Sequence, residues 1–320
     1  MDSITQAALG AAIGQATIGK QTNGWKAIAL GAFIATIPDM DVLLYAVYDS
    51  VEMLRIHRGI SHSFVFAILG ASLLTVLFKW MKWFPAVSAT RMWLFNFLCL
   101  VTHMLLDYCT AYGTQLLLPF SDARLGLDIV NVVDPVYTLP LLIGTLGGML
   151  IPYWEKQKFR WNSLGLILST SYLVVAIFFK ANIDSKFEAD LQTENVAFTQ
   201  RMSMPVGVAS LKWYGVARTA DGLYMKPYSL WGEDTASLTY FPVQDELLER
   251  VNPDWAATMR WFSKGYYTVE AIGDTTRFYN LQVDMRGMVL DRIPAAPTKG
   301  YFEYAPNGTS SFHFGSGALN

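Results

Sequence analysis

The chain has 320 residues, of which 52% are hydrophobic and only 16% are charged, with a formal net charge of −2. Soluble domains carry about a quarter charged residues, so this composition, with a mean hydropathy of +0.28, indicates a membrane protein. The charge balance excludes nucleic-acid binding through a basic surface. The two cysteines lie in one apolar segment, which excludes a disulfide framework and a CxxC metal site.

Apolar segments fill the first part of the chain and predict about six membrane-spanning helices, because several approach the roughly 20 apolar residues that a bilayer requires. In the first segment, Gly10, Gly14 and Gly19 predict a helix packed closely among others. Pro38 interrupts the second segment. The predicted spans are 3–19, 25–48, 59–78, 92–118, 135–153 and 162–179.

Basic residues in the short connecting loops predict the orientation, since they favour the cytoplasmic side. They are sparse in one set of loops, which contains Arg55, Arg58 and Arg124. The richer, predicted cytoplasmic set contains Lys20, Lys26, Lys79, Lys82, Arg91, Lys156, Lys158 and Arg160. Both chain termini are then expected outside the cytoplasm.

Residues 181–320 are polar and aromatic and predict a small α+β, β-rich domain. Turn signals at Asp221-Gly222 and Gly273-Asp274 separate strand-like runs, and a helical patch covers 243–264. The predicted strands are 207–217, 223–230, 266–272 and 277–283. The predicted fold class is therefore a polytopic α-helical membrane domain, residues 1–180, followed by an extracytoplasmic domain, residues 181–320.

Polar and ionisable residues of the membrane domain are predicted to lie in one layer. Counting a helical rise of about 1.5 Å per residue from the basic loop residues puts the side chains roughly 18–26 Å from the cytoplasmic side. The residues of this layer are Gln6, Asp39, His62, His103 and Asp107. Asp41 and His57 are expected nearer the outer surface. His103 and Asp107 share a helix face because they are four positions apart.

Carboxylates and imidazoles at this depth are costly unless they pair, face a cavity or bind a cation. Asp and His together suit zinc, manganese or iron. Each residue also has a simpler interpretation. A membrane histidine can be a helix contact, Asp39 after Pro38 can be a helix cap, and Asp107 can pair with Arg58 or pack in its protonated form. The shared depth favours a metal site. The polar patch after residue 118 is either a structured outer loop or a substrate rim; it comprises Asp122, Arg124, Asp128, Asn131 and Asp134.

Several motifs, in this order and spacing, resemble the YdjM-type membrane-bound metal-dependent hydrolases over roughly residues 1–155. Gln6 stands where many members have histidine. The motifs are Met1-Asp2-Ser3-Ile4-Thr5-Gln6, Pro38-Asp39-Met40-Asp41, His57-Arg58-Gly59-Ile60-Ser61-His62-Ser63, His103-Met104-Leu105-Leu106-Asp107 and the run from Gly113 to Asp122. The family is distantly similar to zinc-dependent phospholipase C and P1-type nucleases, which implies phosphoester hydrolysis in a bacterial inner membrane.

The predicted function is metal-dependent hydrolysis of a lipid or phosphoester substrate from the outer face of a multi-pass inner membrane protein. The metal is a divalent ion, zinc before manganese or iron. Asp41 is a ligand or a general base, Arg58 orients an anionic group, and Ser61 supports a ligand. The predicted ligands are Asp39, His57, His62, His103 and Asp107. A metal or lipid transporter and a membrane-anchored binding module are the alternatives.

Overall fold

The structure is a computed structural model that describes residues 1–150, 155–232, 234–282 and 300–314, without the side chains at 148–150, 155–158 and 314. The chain divides into two compact units. The helical unit contains Met1–Leu43, Ile56–Leu127 and Val132–Val175. The sheet unit contains Leu44–Arg55, Asp128–Asn131 and Ala176–Asn320.

Seven α-helices, α1 to α7, precede the first strand among the described residues. Polar residues start four of them, because a side-chain oxygen accepts from backbone N–H groups that have no partner in the first turn. Asp2, Asn23, Ser63 and Ser88 cap α1, α2, α4 and α5 respectively. The helices are α1 Ser3–Ile18, α2 Gly24–Thr36, α3 Glu52–Ile56, α4 Phe64–Trp80, α5 Ala89–Tyr108, α6 Pro135–Leu150 and α7 Glu155–Thr193.

Glycines allow α1 and α2 to pack backbone against backbone. A Cβ atom at Gly10 would collide with the carbonyl group of Gly31, and one at Gly14 with that of Ala27. The prediction of close packing through Gly10 and Gly14 is confirmed. Gly19 instead forms the C-cap of α1. This close approach fixes α1, which carries Gln6, beside the helix that leads to Asp39.

Two helices, Ala89–Tyr108 and Phe159–Thr193, are long and apolar enough to cross a membrane. Two bent pairs raise this number to as many as four: Gly24–Thr36 with Pro38–Ala46, bent by 54°, and Glu52–His62 with Phe64–Trp80, bent by 56°. The predicted number of six is not confirmed within the described part of the chain, since α1 and α6 have 16 residues each. The predicted interruption of the second segment at Pro38 is confirmed.

Two predicted boundaries in the helical region are wrong. The fourth span was expected to reach residue 118, but α5 ends at Tyr108. Gly113, with a φ of 85°, lies beyond this end, and Thr114 pairs with Leu125 in an isolated bridge. Lys156, Lys158 and Arg160, which were expected in a connecting loop, instead lie in the first two turns of α7, a helix of 39 residues that ends at Thr193.

The sheet unit contains two four-stranded antiparallel sheets, ordered β1-β2-β3-β4 and β5-β6-β7-β8. The turns expected at Asp221-Gly222 and Gly273-Asp274 are confirmed, since they connect β2 to β3 and β5 to β6. The strand predicted at 207–217 begins only at Lys212, because residues 207–211 connect β1 to β2. Val283, at the end of one predicted strand, lies outside the described residues. The strands are β1 Gln200–Val206, β2 Lys212–Arg218, β3 Gly222–Ser229, β4 Thr239–Pro242, β5 Tyr267–Ile272, β6 Thr275–Asn280, β7 Gly300–Tyr304 and β8 Ser310–Phe314.

Helices complete the sheet unit. The predicted helical patch is a 3-10 segment, Asp245–Arg250, followed by α8, Pro253–Ser263. The last turns of α7 pack on the first sheet, where Phe187 is fully buried above Gly215. The apolar core of this contact comprises Ile183, Phe187, Leu191, Trp213, Ala217 and Tyr228.

Candidate metal centre

Two histidines and two aspartates meet in the helical unit. Asp39 lies in the 3-10 segment Pro38–Ala46, His62 ends the short 3-10 turn Ile60–His62, and His103 and Asp107 lie one turn apart on α5. One ligand atom from each residue lies within 4.8 Å of every other. We call Asp39, His62, His103 and Asp107 the four-residue cluster.

The ring nitrogens Nε2 of both histidines point toward the carboxylates. His62 Nε2 lies 3.4 Å from Asp39 Oδ1 and 3.3 Å from Asp107 Oδ2. His103 Nε2 lies 3.4 Å and 3.7 Å from the same two atoms. The two Nε2 atoms are 3.1 Å apart. His62, His103 and Asp107 are buried, while the Asp39 side chain is 18% exposed.

In both histidines, the hydrogen-bond partner of Nδ1 determines whether Nε2, which faces the carboxylates, carries a hydrogen or a lone pair. His103 Nδ1 faces the carbonyl oxygen of Ala35, which can only accept, so Nδ1 carries a hydrogen. In the neutral ring, Nε2 then presents a lone pair. His62 Nδ1 lies 2.9 Å from Ser61 Oγ. Because Ser61 gives its hydrogen to Asp41, it accepts from His62, and His62 Nε2 also presents a lone pair.

Lone pairs from both Nε2 atoms and from two carboxylates therefore converge on one point. Asp107 Oδ2 is buried and accepts no hydrogen bond from the residues that the structure describes. The Arg58 guanidinium contacts one of these atoms, Asp107 Oδ2, at 3.2 Å. Among the described residues it forms no ion pair with Asp39, so the remaining lone pairs repel each other unless a further positive charge lies between them. Two imidazoles and two carboxylates form an N/O donor set that suits zinc and also manganese or iron. The chemistry of the cluster fits a divalent metal ion.

The other oxygen of Asp107 has partners of its own. Gln6 Nε2 donates to Asp107 Oδ1 at 3.2 Å, and the amino group of Met1 forms an ion pair with the same oxygen. Gln6 thus lies in the predicted layer of polar residues. Its amide nitrogen also donates to the carbonyl oxygen of His103, so Gln6 contacts the cluster through a hydrogen-bond donor. These contacts orient Asp107 so that Oδ2 faces the histidines.

Arg58 is buried beside Asp107. Its Nε lies 3.2 Å from Asp107 Oδ2, and its Nη1 donates to Thr110 at 3.0 Å. The backbone of Arg58 has a φ of 59°, in the left-handed region that is uncommon for side-chain-bearing residues. The pairing of Asp107 with Arg58, one of the two simpler interpretations of this aspartate, is present in the structure.

The remaining predicted site residues surround Asp41. His57 Nδ1 lies 2.8 Å from Asp41 Oδ1, and Ser61 Oγ donates to Asp41 Oδ2, also at 2.8 Å. His57 therefore lies with Asp41 and is not among the four residues of the cluster, although the sequence analysis included it with the ligands. Asp41 approaches the cluster no more closely than 3.6 Å, at His62 Nδ1.

Sequence reasoning missed two features of the site. The carbonyl of Ala35, which orients His103, leaves no signal because every residue has a carbonyl group. Tyr112 lies between two arginines: the guanidinium carbons of Arg58 and Arg124 each lie 4.6 Å from its ring centroid. Burial lowers the pKa of Arg124 to about 10. Arg124 is buried and donates to the carbonyl oxygens of Tyr112 and Gly113. At Arg124, the polar patch after residue 118 is therefore part of a structured loop.

The chain has helices of membrane-spanning length and a largely buried cluster of two aspartates and two histidines, which define a membrane protein with a candidate metal centre. Comparison with known proteins agrees with this class. The chain belongs to the YdjM inner membrane protein family, whose model matches residues 1–183. The predicted resemblance to the YdjM family is confirmed, and the protein is an inner membrane protein. The distant similarity to zinc-dependent phospholipase C and P1-type nucleases stays a prediction.

Two curated relatives each match part of this chain. The chain is 32% identical over 181 residues to the uncharacterized protein YfhP of Bacillus subtilis (strain 168), a match that covers 54% of this chain and 53% of the relative. It is 37% identical over 123 residues to the inner membrane protein YbcI of Escherichia coli (strain K12), covering 38% of this chain and 69% of the relative. The match thus spans about half the length of YfhP. No solved structure matches this chain.

Proposed function

We propose that the protein is a membrane-embedded, metal-dependent hydrolase that cleaves a phosphoester bond in a lipid-like substrate. The observation that carries this proposal is the convergence of two imidazole lone pairs and two carboxylates on one buried point. Asp39, His62, His103 and Asp107 would hold the ion, and the donor set favours zinc. A bound divalent ion supplies a nucleophile at neutral pH and a positive charge that polarises a phosphoryl oxygen.

Arg58 would bind the negative charge of the substrate. Its guanidinium lies against Asp107 Oδ2, at the edge of the four-residue cluster, and the planar fork of arginine matches phosphate oxygens. An ion held by Asp107 Oδ2 would weaken the attraction of this oxygen for Arg58. Arg58 would then be available to orient an anionic group beside the cluster.

His57 would move a proton during the reaction. Its Nδ1 is engaged by Asp41, and its Nε2 has no hydrogen-bond partner among the described residues. The His57 side chain is 21% exposed, whereas both cluster histidines are fully buried. We therefore assign His57 to proton transfer to the leaving group, a role in which a carboxylate commonly orients the imidazole, and not to the ligand set.

Apolar side chains around the open side of the cluster support a lipid-like substrate. Asp39, the least buried member of the cluster, is followed by Met40 and Leu43, both well exposed. Ile60, in the turn that carries His62, is also more than half exposed at 56%. A substrate with an acyl chain would contact these side chains while its phosphoester reached the cluster.

We further propose the topology that the basic loops predict: a multi-pass domain of residues 1–180 in the inner membrane and an extracytoplasmic domain of residues 181–320. The distribution of lysine and arginine between the loops supports this orientation. Cysteine variants in the predicted outer domain, made in a background without Cys99 and Cys109, test it. We expect an impermeant thiol reagent to label these cysteines in intact cells. Labelling only after the cells are lysed would instead place the domain in the cytoplasm.

Hydrolysis is tested with the detergent-purified full chain loaded with zinc, manganese or iron. Bis-p-nitrophenyl phosphate and mixed phospholipid vesicles serve as substrates, and His103→Ala is compared with His313→Ala, whose ring is exposed and stacks on Tyr301 in the sheet unit. We expect metal-dependent cleavage that His103→Ala abolishes and His313→Ala retains. Equal activity in both variants would contradict the proposal. Stoichiometric metal without cleavage of either substrate would favour metal or lipid transport.

A further inference from the structure

Asp41 is a buried acceptor whose two oxygens are both occupied. Oδ1 accepts from His57, and Oδ2 accepts from Ser61 Oγ at 2.8 Å and from the backbone N–H of Arg58 at 3.2 Å. The Asp41 side chain is only 6% exposed. With these partners, Asp41 is not placed to act as a metal ligand or to accept a proton from solvent.

Ser61 connects Asp41 to the four-residue cluster. A hydroxyl group has a single hydrogen, and here it is donated to the Asp41 carboxylate, which can only accept. The oxygen of Ser61 must therefore accept the Nδ1 hydrogen of His62, 2.9 Å away. The order of donation is fixed: His62 donates to Ser61, and Ser61 donates to Asp41.

We propose that Asp41 and Ser61 are positioning residues that hold the His62 ring in the tautomer and orientation in which Nε2 faces the metal. The inference rests on the metal centre of the proposed function and assigns these two residues a role outside the ligand set. Hydrogen bonds from a ligating histidine to an outer acceptor fix its tautomer and raise its basicity as a ligand.

The two cluster histidines are oriented by different means. His103 donates to the main-chain carbonyl of Ala35, which no side-chain substitution removes. His62 depends on side chains alone, because its Nδ1 lies 2.9 Å from Ser61 Oγ and 3.6 Å from Asp41 Oδ2. Substitutions at Ser61 and Asp41 therefore act on one of the two histidine ligands and leave the other in place.

The same contacts explain the spacing of the His57 to Ser63 motif. His57, the backbone of Arg58 and Ser61 all donate to Asp41, and His62 alone continues into the cluster. The left-handed backbone at Arg58 turns the chain so that its N–H reaches Asp41. Of these two histidines, five positions apart, His57 thus contacts the positioning carboxylate and His62 would hold the ion.

The test measures the affinity of purified full-length protein for zinc or cobalt(II) by competition with a chelating indicator. Ser61→Ala and Asp41→Asn are expected to weaken binding by about 10- to 100-fold, the range found when outer partners of ligating histidines are removed. Ser61→Thr keeps the hydroxyl and is expected to restore wild-type affinity. The visible absorption of bound cobalt(II) should change in Ser61→Ala and return in Ser61→Thr.

Thr102 provides a matched control. Like Ser61, it directly precedes a cluster histidine, but its hydroxyl donates to the Leu98 carbonyl of its own helix. Thr102→Ala is expected to bind metal as the wild type does. In the double variant Ser61→Ala/Asp41→Asn, the loss should be close to that of either single variant, because both interrupt the same hydrogen-bond chain.

Three outcomes overturn the inference. Wild-type affinity and spectrum in folded Ser61→Ala would remove the positioning role while leaving the metal centre intact. Fully additive losses in the double variant would show that Asp41 and Ser61 act separately. A wild-type protein that binds neither zinc nor cobalt(II) would overturn both this inference and the proposed function.

Discussion

The buried pair of Arg58 and Asp107 predicts an asymmetric response to substitution. Arg58 has one carboxylate within ion-pair distance among the described residues, whereas Asp107 also contacts the Met1 amino group, Gln6 and His62. Asp107→Asn therefore leaves a buried guanidinium without a counter-charge. A cation stranded in this way destabilises a fold by about 3–5 kcal/mol. Arg58→Met removes the cation itself and leaves Asp107 with its other partners, so its effect should be smaller.

Unfolding by SDS in mixed micelles, followed by tryptophan fluorescence in the presence of EDTA, measures these free energies without a contribution from metal. The double variant Asp107→Asn/Arg58→Met should be less destabilised than the sum of the single variants, with a coupling of about 0.5–3 kcal/mol. Equal free energies of unfolding for wild type and Asp107→Asn, or strictly additive effects, would refute the assignment of a buried, mutually dependent pair.

Three further predictions concern other parts of the chain. His57→Ala should bind metal as the wild type does while hydrolysis falls about 100-fold, a typical effect of losing an acid–base group; loss of the metal would instead make His57 a ligand. Gly31→Ala should prevent close packing of α1 on α2 and reduce the folded yield in detergent, whereas Gly147→Ala, whose added Cβ atom has no neighbour within 4 Å, should not. Equal yields would contradict the packing. Burial raises the pKa of Asp128, so its carboxylate opposes folding once the pH exceeds its unfolded pKa. Asp128→Asn should therefore raise the melting temperature at pH 7 and lose this advantage near pH 3, and a lower melting temperature at pH 7 would contradict the prediction.

Much of the candidate site could be predicted because helical geometry relates sequence to position. His103 and Asp107 are four residues apart on α5, so they share a face whatever the rest of the fold does. Depth counting placed Gln6, Asp39 and His62 at the same level, and the structure brings all of them to His103 or Asp107. The layer depends on the helical rise alone, which varies little between proteins.

The sequence did not predict which aspartate and which histidine of each motif belong to the four-residue cluster. Asp39 and Asp41, and likewise His57 and His62, differ in role because the chain bends by 54° after α2 and by 56° before α4. These four residues lie in 3-10 helix or turn, on either side of the short helix α3, and there the direction of a side chain does not follow from a simple period. Arg58 has a left-handed backbone in this stretch. A glycine would have indicated such a conformation in the sequence, but an arginine does not.

The number of spans and the last strands were also beyond the sequence analysis. Hydropathy does not separate a spanning helix from a shorter apolar helix, and both α1 and α6 have 16 residues. Strands β7 and β8 meet at Asn307-Gly308, where Gly308 has a φ of 82°. An Asn-Gly pair is typical of a hairpin turn, but the flanking runs are short and contain polar residues at both faces.

Metal content is the most direct test of the central claim. Protein purified in detergent is analysed by mass spectrometry for zinc, manganese and iron, beside His62→Ala, Asp107→Ala and the control His313→Ala. The account predicts a near-stoichiometric divalent metal in the wild type and the control, and its loss in both cluster variants. Folded wild-type protein that holds no metal, even after the ion is added back, would contradict it.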